Sequence, residues 1–167
     1  HETVLLANTL QGTAGQFSLG VLTVASLILA REITPGTGDA YRGTYAFMET
    51  AIGIGSLVGG FMLGAVASRA PKGKLIIGAY IAFGLGAMAV GVVDSIPLVL
   101  GLFFGMGVAN MAFVIPSQTL FQERTPPELM GRVVSLRFAL VFGGMSLAMA
   151  LAGVAMTVVD AGAVIFV

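Results

Sequence analysis

The sequence predicts an all-α fold, a polytopic bundle of transmembrane helices. Three observations predict it. Apolar residues make up 57% of the chain and charged residues only 10%, against about 25% charged in an average soluble domain. Mean hydropathy is +0.99. The charges also leave long gaps: uncharged runs cover 3–30, 50–68, 75–93, 95–122 and 138–159, with lengths of 28, 19, 19, 28 and 22 residues. A hydrocarbon core of about 30 Å needs about 20 apolar residues in a helix. Barrel strands do not fit, because they run about 10 residues with alternating polarity. A signal peptide does not explain the first run, which lacks a basic n-region and is followed by four similar runs.

The same composition excludes several classes. A water-soluble domain would lack the charges to cover its surface, and disorder needs low hydrophobicity. Net charge is zero and no basic stripe exists, so nucleic acid is not an expected partner. Without Cys there is no disulfide framework and no thiolate metal site, and nothing implies a metal or another cofactor. A membrane-embedded enzyme needs a nucleophile–base pair or metal ligands. This chain has one His, at position 1, and one carboxylate inside a span, so it is not expected to be an enzyme. Residue 1 is not Met and residue 167 lies in an apolar run, which reads as a fragment of a larger membrane protein.

The predicted spans are 4–30, 45–67, 75–93, 98–120 and 132–159, with the start of a sixth at 162–167, all in one transmembrane domain over 1–167. Orientation follows from Lys and Arg. Arg69, Lys72 and Lys74 lie between spans two and three. Arg124 and Arg132 lie between spans four and five, with Arg137 just inside span five. The opposite side holds Arg31 and Arg42. The positive-inside rule makes the richer side cytoplasmic.

Each span then shows a readable face. On span one, Asn8, Gln11, Gly12, Gly15, Thr23 and Ser26 share a polar, small side, and Leu6, Leu10, Phe17, Val21, Val24 and Ile28 share a greasy one. The polar face lines a water-filled cavity or forms hydrogen bonds between packed helices. On span two, Glu49, Gly53, Ser56, Gly60 and Gly64 share a face, and Ser56, Gly60 and Gly64 form a small-xxx-small pattern that lets helices approach. Glu49 is the proton-coupling candidate, since an ionisable group inside a span is functional by default. The alternative is a solvated carboxylate at the outer interface. Span three has Tyr80 as its one strongly polar side chain and suits a peripheral helix, with Gly78, Gly84, Gly86 and Gly91 allowing close contact.

On span four, Asn110 and Ser117 share a face with Phe103, Met106 and Val114, and Gln118 sits at its edge. Pro97 falls in the first turn, where its missing N–H costs little. Pro116 lies inside the helix and marks either a hinge or a packing kink. Span five carries Phe142, Met145, Met149 and Met156 near helical spacing, fitting an apolar pocket or ordinary packing. Gly144, Ala148 and Ala152 form a second small-residue seam. Arg137 either snorkels to the cytoplasmic surface or pairs with a carboxylate outside this sequence.

The connection between spans four and five is the most specific segment. Thr125-x-x-Glu128 reads as a capping box with Pro126 at the first helical position, which predicts a short surface helix from Thr125 to about Gly131. The stretch Thr-Pro-x-Glu-Leu-x-Gly-Arg-Val-x-Ser, from Thr125 to Ser135, resembles the cytoplasmic connection between the tenth and eleventh helices of major facilitator superfamily transporters. It is most similar to the branch containing the enterobactin exporter and macrolide-efflux proteins.

The resemblance implies that the five spans are the seventh to eleventh helices, in the C-terminal six-helix half of that fold. It implies export of small apolar or amphipathic, drug- or siderophore-like molecules by alternating access, driven by protons, in a bacterial inner membrane. The partners would be the lipid bilayer, the missing N-terminal half, a small-molecule substrate and a proton. The two halves of such a transporter rock about a midplane site.

Candidate cavity residues are Asn8, Gln11, Gln16, Asn110 and Gln118; Thr125, Glu128, Gly131 and Arg132 form the cytoplasmic elbow. One departure stands out: the loop from Gly64 to Lys74 keeps the glycine and the basic cluster of the family's repeated motif but has no Asp. A charge-relay latch is therefore not carried over to it. A non-transporting scaffold or sensor of transporter ancestry is the alternative reading.

Overall fold

The computed structural model describes residues 2–34, 39–66 and 71–165, with side chains over 5–34, 39–64 and 71–155. The chain forms helices α1 (Glu2–Ile33), α2 (Ala40–Val66), α3 (Lys72–Val90), α4 (Ile96–Arg124) and α5 (Met130–Ile165), with a single 3-10 turn at Pro127–Leu129. No strand occurs among the described residues. All five helices are long and apolar enough to cross a membrane. The shortest, α3, has 19 residues and spans about 28 Å at about 1.5 Å per residue, close to the hydrocarbon thickness.

The helices overrun the predicted spans at most ends. A charge-free run marks only the hydrocarbon part, and Arg31, Tyr41, Lys72 and Arg124 continue the helices into the interface. The local stops are physical. Pro71, with φ −65° and ψ 108°, precedes α3, and Gly91 ends it. Ser95 is extended before α4, and a proline occupies the first turn. At the far end α5 runs through Asp160 to Ile165 without a turn, where the sequence predicted a stop at 159 and a new span from 162. One Asp and one Gly with no Pro do not suffice to end a helix.

The chain falls into two compact units. One comprises His1–Ala25 with Pro126–Val167, and the other Ser26–Thr125. In the first, α1 and α5 meet along small residues. A Cβ on Gly20 would lie 2.7 Å from the Met145 carbonyl oxygen and 3.1 Å from the Ala148 methyl. A Cβ on Gly144 would meet the Thr13 methyl at 2.7 Å. The Thr13 hydroxyl turns back to the Thr9 carbonyl at 3.0 Å, which leaves its methyl for α5. Gly144 and Ala148 thus form the predicted seam, while Phe142 points away and stacks on Phe138 at 5.7 Å. The Met156 side chain lies outside the described residues. Leu6, Leu10, Phe17 and Val21 are exposed, as the greasy face requires.

In the second unit α4 packs against both α2 and α3. Its contact with α2 is close because both backbones are bare. A Cβ on Gly55 would collide with the Phe104 carbonyl, and one on Gly107 with the Ile52 carbonyl. A Cβ on Gly59 would come within 2.9 Å of the Val108 Cα. The Ser56 hydroxyl donates to the Gly107 carbonyl at 3.3 Å across the same contact. This corrects the predicted seam. Gly60 and Gly64 meet nothing within 4 Å among the described residues, so the close approach uses Gly55 and Gly59 instead.

Against α3, the ring of Phe113 stacks on Tyr80 at 4.4 Å and meets Phe83 edge-on at 6.3 Å. Ile76 and Ala79 complete this core. Of Gly78, Gly84, Gly86 and Gly91, all expected to allow close contact, only Gly86 faces another helix among the described residues: a Cβ there would lie 2.7 Å from the Met106 Cγ. Ile77, Ile81, Leu85 and Met88 are exposed, which gives α3 one apolar face turned outward.

Candidate functional site

Hydroxyls inside apolar helices need partners, and here most are self-contained. Thr9, Thr13, Ser18, Thr23, Thr50, Thr119, Ser135 and Ser146 each donate to the carbonyl four residues back. This removes a polar group from the apolar surroundings without a second helix. Ser26 behaves differently. It is 1% exposed and its hydroxyl donates to the Glu49 Oε1 at 3.2 Å, joining α1 to α2. Just beyond, the Thr34 and Thr44 hydroxyls bond at 2.8 Å. Arg31 lies over the Tyr41 ring at 4.9 Å, and Arg42 pairs with Asp39 at 3.1 Å.

Glu49 is half-buried. It is 17 residues from Val66, the end of α2, and 9 from Ala40, its start. The carboxylate therefore sits about 14 Å along the helix from its N-terminal end at about 1.5 Å per residue. Along the same helix Gly53, Gly60 and Gly64 carry no side chain and meet nothing within 4 Å among the described residues. Those three positions of the Glu49 face thus have no neighbour among the described residues, whereas the Gly55–Gly59 face is filled by α4. Ser26, on the polar face of span one, was not among the candidate site residues. The signal that could have found it is its place about one and a half turns before Arg31, at the charged end of that span.

The other candidates divide between the two units. On α1, Asn8 is buried and Gln11 and Gln16 are half-buried. On α4, Asn110 and Ser117 are buried and Gln118 is half-buried. Asn110 is 6% exposed, and its Oδ1 accepts no hydrogen bond among the described residues. A buried acceptor left in that state costs about 1–3 kcal/mol. The helix continues through Pro116 to Arg124 without ending.

The elbow differs from its expected form. Thr125 is buried and donates backward to the Phe121 carbonyl at 2.7 Å, closing the last turn of α4. No side chain caps the following 3-10 turn, so the capping box with Glu128 does not form. The reason is local: Pro126 has φ −58° and ψ 140°, and Pro127 has no N–H for a cap to bind. In place of a separate surface helix, the single turn runs directly into α5 at Met130. Glu128, Gly131 and Arg132 are exposed, and Gly131 has open space where a Cβ would stand.

Nearby, the Lys72 ammonium lies 2.6 Å from the Glu123 carboxylate and ties the start of α3 to the last turn of α4. Both groups are partly exposed, so the pair contributes at most about 1 kcal/mol. Arg69 lies outside the described residues. Arg137 does not snorkel. It is 7% exposed, with Nη2 3.5 Å from the position of a Cβ on Gly12.

Comparison with protein-family models, curated proteins and solved structures finds no match.

Proposed function

We propose that this chain is the C-terminal half of a major facilitator superfamily secondary transporter. In this reading it exports small apolar or amphipathic molecules by alternating access, with a proton gradient as the driving force, in a bacterial inner membrane. The observation that carries the proposal is Glu49: a carboxylate inside a membrane-length helix, held by Ser26, on a face where Gly53, Gly60 and Gly64 have no neighbour among the described residues. An ionisable side chain does not face hydrocarbon at such a depth, so that face borders water or protein. Asn110 supports the same reading, because a buried amide acceptor is satisfied by a water or a passing solute. The Thr125–Ser135 stretch supplies the family resemblance. The second half of the transporter would close the Glu49 face and complete the path.

The test is transport by the purified full-length protein in proteoliposomes. An imposed pH gradient should drive ethidium across the membrane, and a protonophore should abolish the movement. Ethidium flux equal to that of protein-free vesicles, with and without the gradient, contradicts the proposal.

A further inference from the structure

The first turn of α3 carries two lysines that face opposite ways. Lys72 is turned to α4, where Glu123 holds its ammonium at 2.6 Å. Lys74 stands two residues later, about 200° further round the helix. It is exposed and makes no ion pair among the described residues. At about 100° per residue, Ile77, Ile81, Leu85 and Met88 all fall within about 60° of Lys74. Each of the four is exposed, while Ile76, Ala79 and Phe83 on the other side are buried. Lys74 thus stands at the foot of a continuous apolar stripe. From Lys74 to Met88 the stripe runs about 21 Å, longer than one leaflet's share of a hydrocarbon core of about 30 Å.

We propose that this outward face of α3 binds an anionic glycerophospholipid, with Lys74 on the phosphate headgroup and the acyl chain along Ile77, Ile81, Leu85 and Met88. The inference needs only that the chain spans a membrane and is independent of transport. Helical side chains lean toward the N-terminus, so the Lys74 stem carries its ammonium toward the headgroups of the nearer leaflet. A basic residue at that level attracts anionic lipid. The other end of α3 has no basic residue in its last turn, and the charge that follows is the exposed Asp94. An anionic headgroup is therefore favoured at one end of the stripe and disfavoured at the other. A second copy of the chain fits this face poorly. Two copies related by a two-fold axis along the membrane normal would bring the stripes together in parallel, with Lys74 beside Lys74. A phosphate removes that repulsion, and a lipid tail covers the stripe.

The protein contains no Trp, so a single tryptophan reports on the lipid beside it. The full-length protein carrying Ile77→Trp is reconstituted in phosphatidylcholine vesicles with increasing fractions of acyl-chain-brominated phosphatidylglycerol or brominated phosphatidylcholine. Quenching of the tryptophan gives the relative affinity of the two lipids. Phosphatidylglycerol is expected to be favoured about five-fold, the scale of one basic residue at an anionic surface. Adding Lys74→Gln should bring the ratio to about one, and Lys74→Arg should keep it. Met88→Trp, at the far end of the same stripe, should be quenched equally by both lipids. Equal quenching at Ile77→Trp overturns the inference, and so does a preference that survives Lys74→Gln. Quenching by neither lipid also overturns it, because a second copy or another protein then covers the face.

Discussion

Glu49→Gln is expected to remove the pH-gradient dependence of export while the protein still folds. The amide has nearly the same shape, and its oxygen can still accept the Ser26 hydroxyl bond, now at 3.2 Å. What it cannot do is gain and lose a proton. The gradient-driven part of the flux should fall about ten-fold or more, equivalent to at least about 1.4 kcal/mol of lost coupling. Glu49→Asp keeps the carboxyl on a shorter stem and should retain part of the effect. Flux measured at several imposed gradients decides between them. An unchanged gradient dependence in Glu49→Gln would take the proton-carrier role away from this residue.

Gly55→Ala and Gly107→Ala should separate α2 from α4, and Gly60→Ala should not. At Gly55 and Gly107 the added carbon collides with a backbone carbonyl of the facing helix, which cannot rotate out of the way. Over-packing of this kind costs about 1–3 kcal/mol. At Gly60 the added carbon meets open space, and relief of glycine's backbone entropy favours the helix by about 0.5–1 kcal/mol. Thermal unfolding in detergent should therefore show Gly55→Ala and Gly107→Ala melting below the wild type and Gly60→Ala at or above it. The reverse order would move the helix contact back to the Ser56–Gly60–Gly64 face.

These glycines also show how far the sequence alone reaches. The five membrane-length helices are legible because charges cannot be spread through hydrocarbon, so their spacing marks each crossing. The polarity of α1 is legible for a similar reason: Leu6, Leu10, Phe17 and Val21 fall on one side and are exposed. The contact face of α2 is not legible. Ser56, Gly60 and Gly64 have the right spacing, and so do Gly55 and Gly59. In an apolar helix with small residues on both sides, only the facing helix decides which set is used.

Helix ends were hidden for another reason, since interfacial Lys, Arg and Tyr extend a helix as well as terminate a hydrophobic run. The Thr125–Glu128 pattern was a true cap signal in isolation. It was overridden by the extended Pro126 and the missing Pro127 N–H, and the Thr125 hydroxyl instead donates one turn back to the Phe121 carbonyl. For the candidate site, Glu49 and Asn110 stood out as polar groups in apolar runs. Ser26 did not, because serine is common in spans, and only the structure shows which hydroxyls look outside their own helix. Arg137 could be placed on α5 from sequence, but its turn toward Gly12 depends on the register of two helices far apart in the chain.

Proton-coupled transport requires first that the chain cross a membrane five times with Glu49 inside. The protein contains no Cys, so single cysteines can report topology without a background. Gly73 and Gly131 are exposed with open space around them, and Asp39 and Asp94 are exposed at the opposite helix ends. A membrane-impermeant maleimide applied to intact cells should label Asp39→Cys and Asp94→Cys. It should reach Gly73→Cys and Gly131→Cys only after the membrane is opened, and Glu49→Cys should label more slowly than any of them. Labelling of all four loop positions from the same side would contradict the crossings on which the transport reading stands.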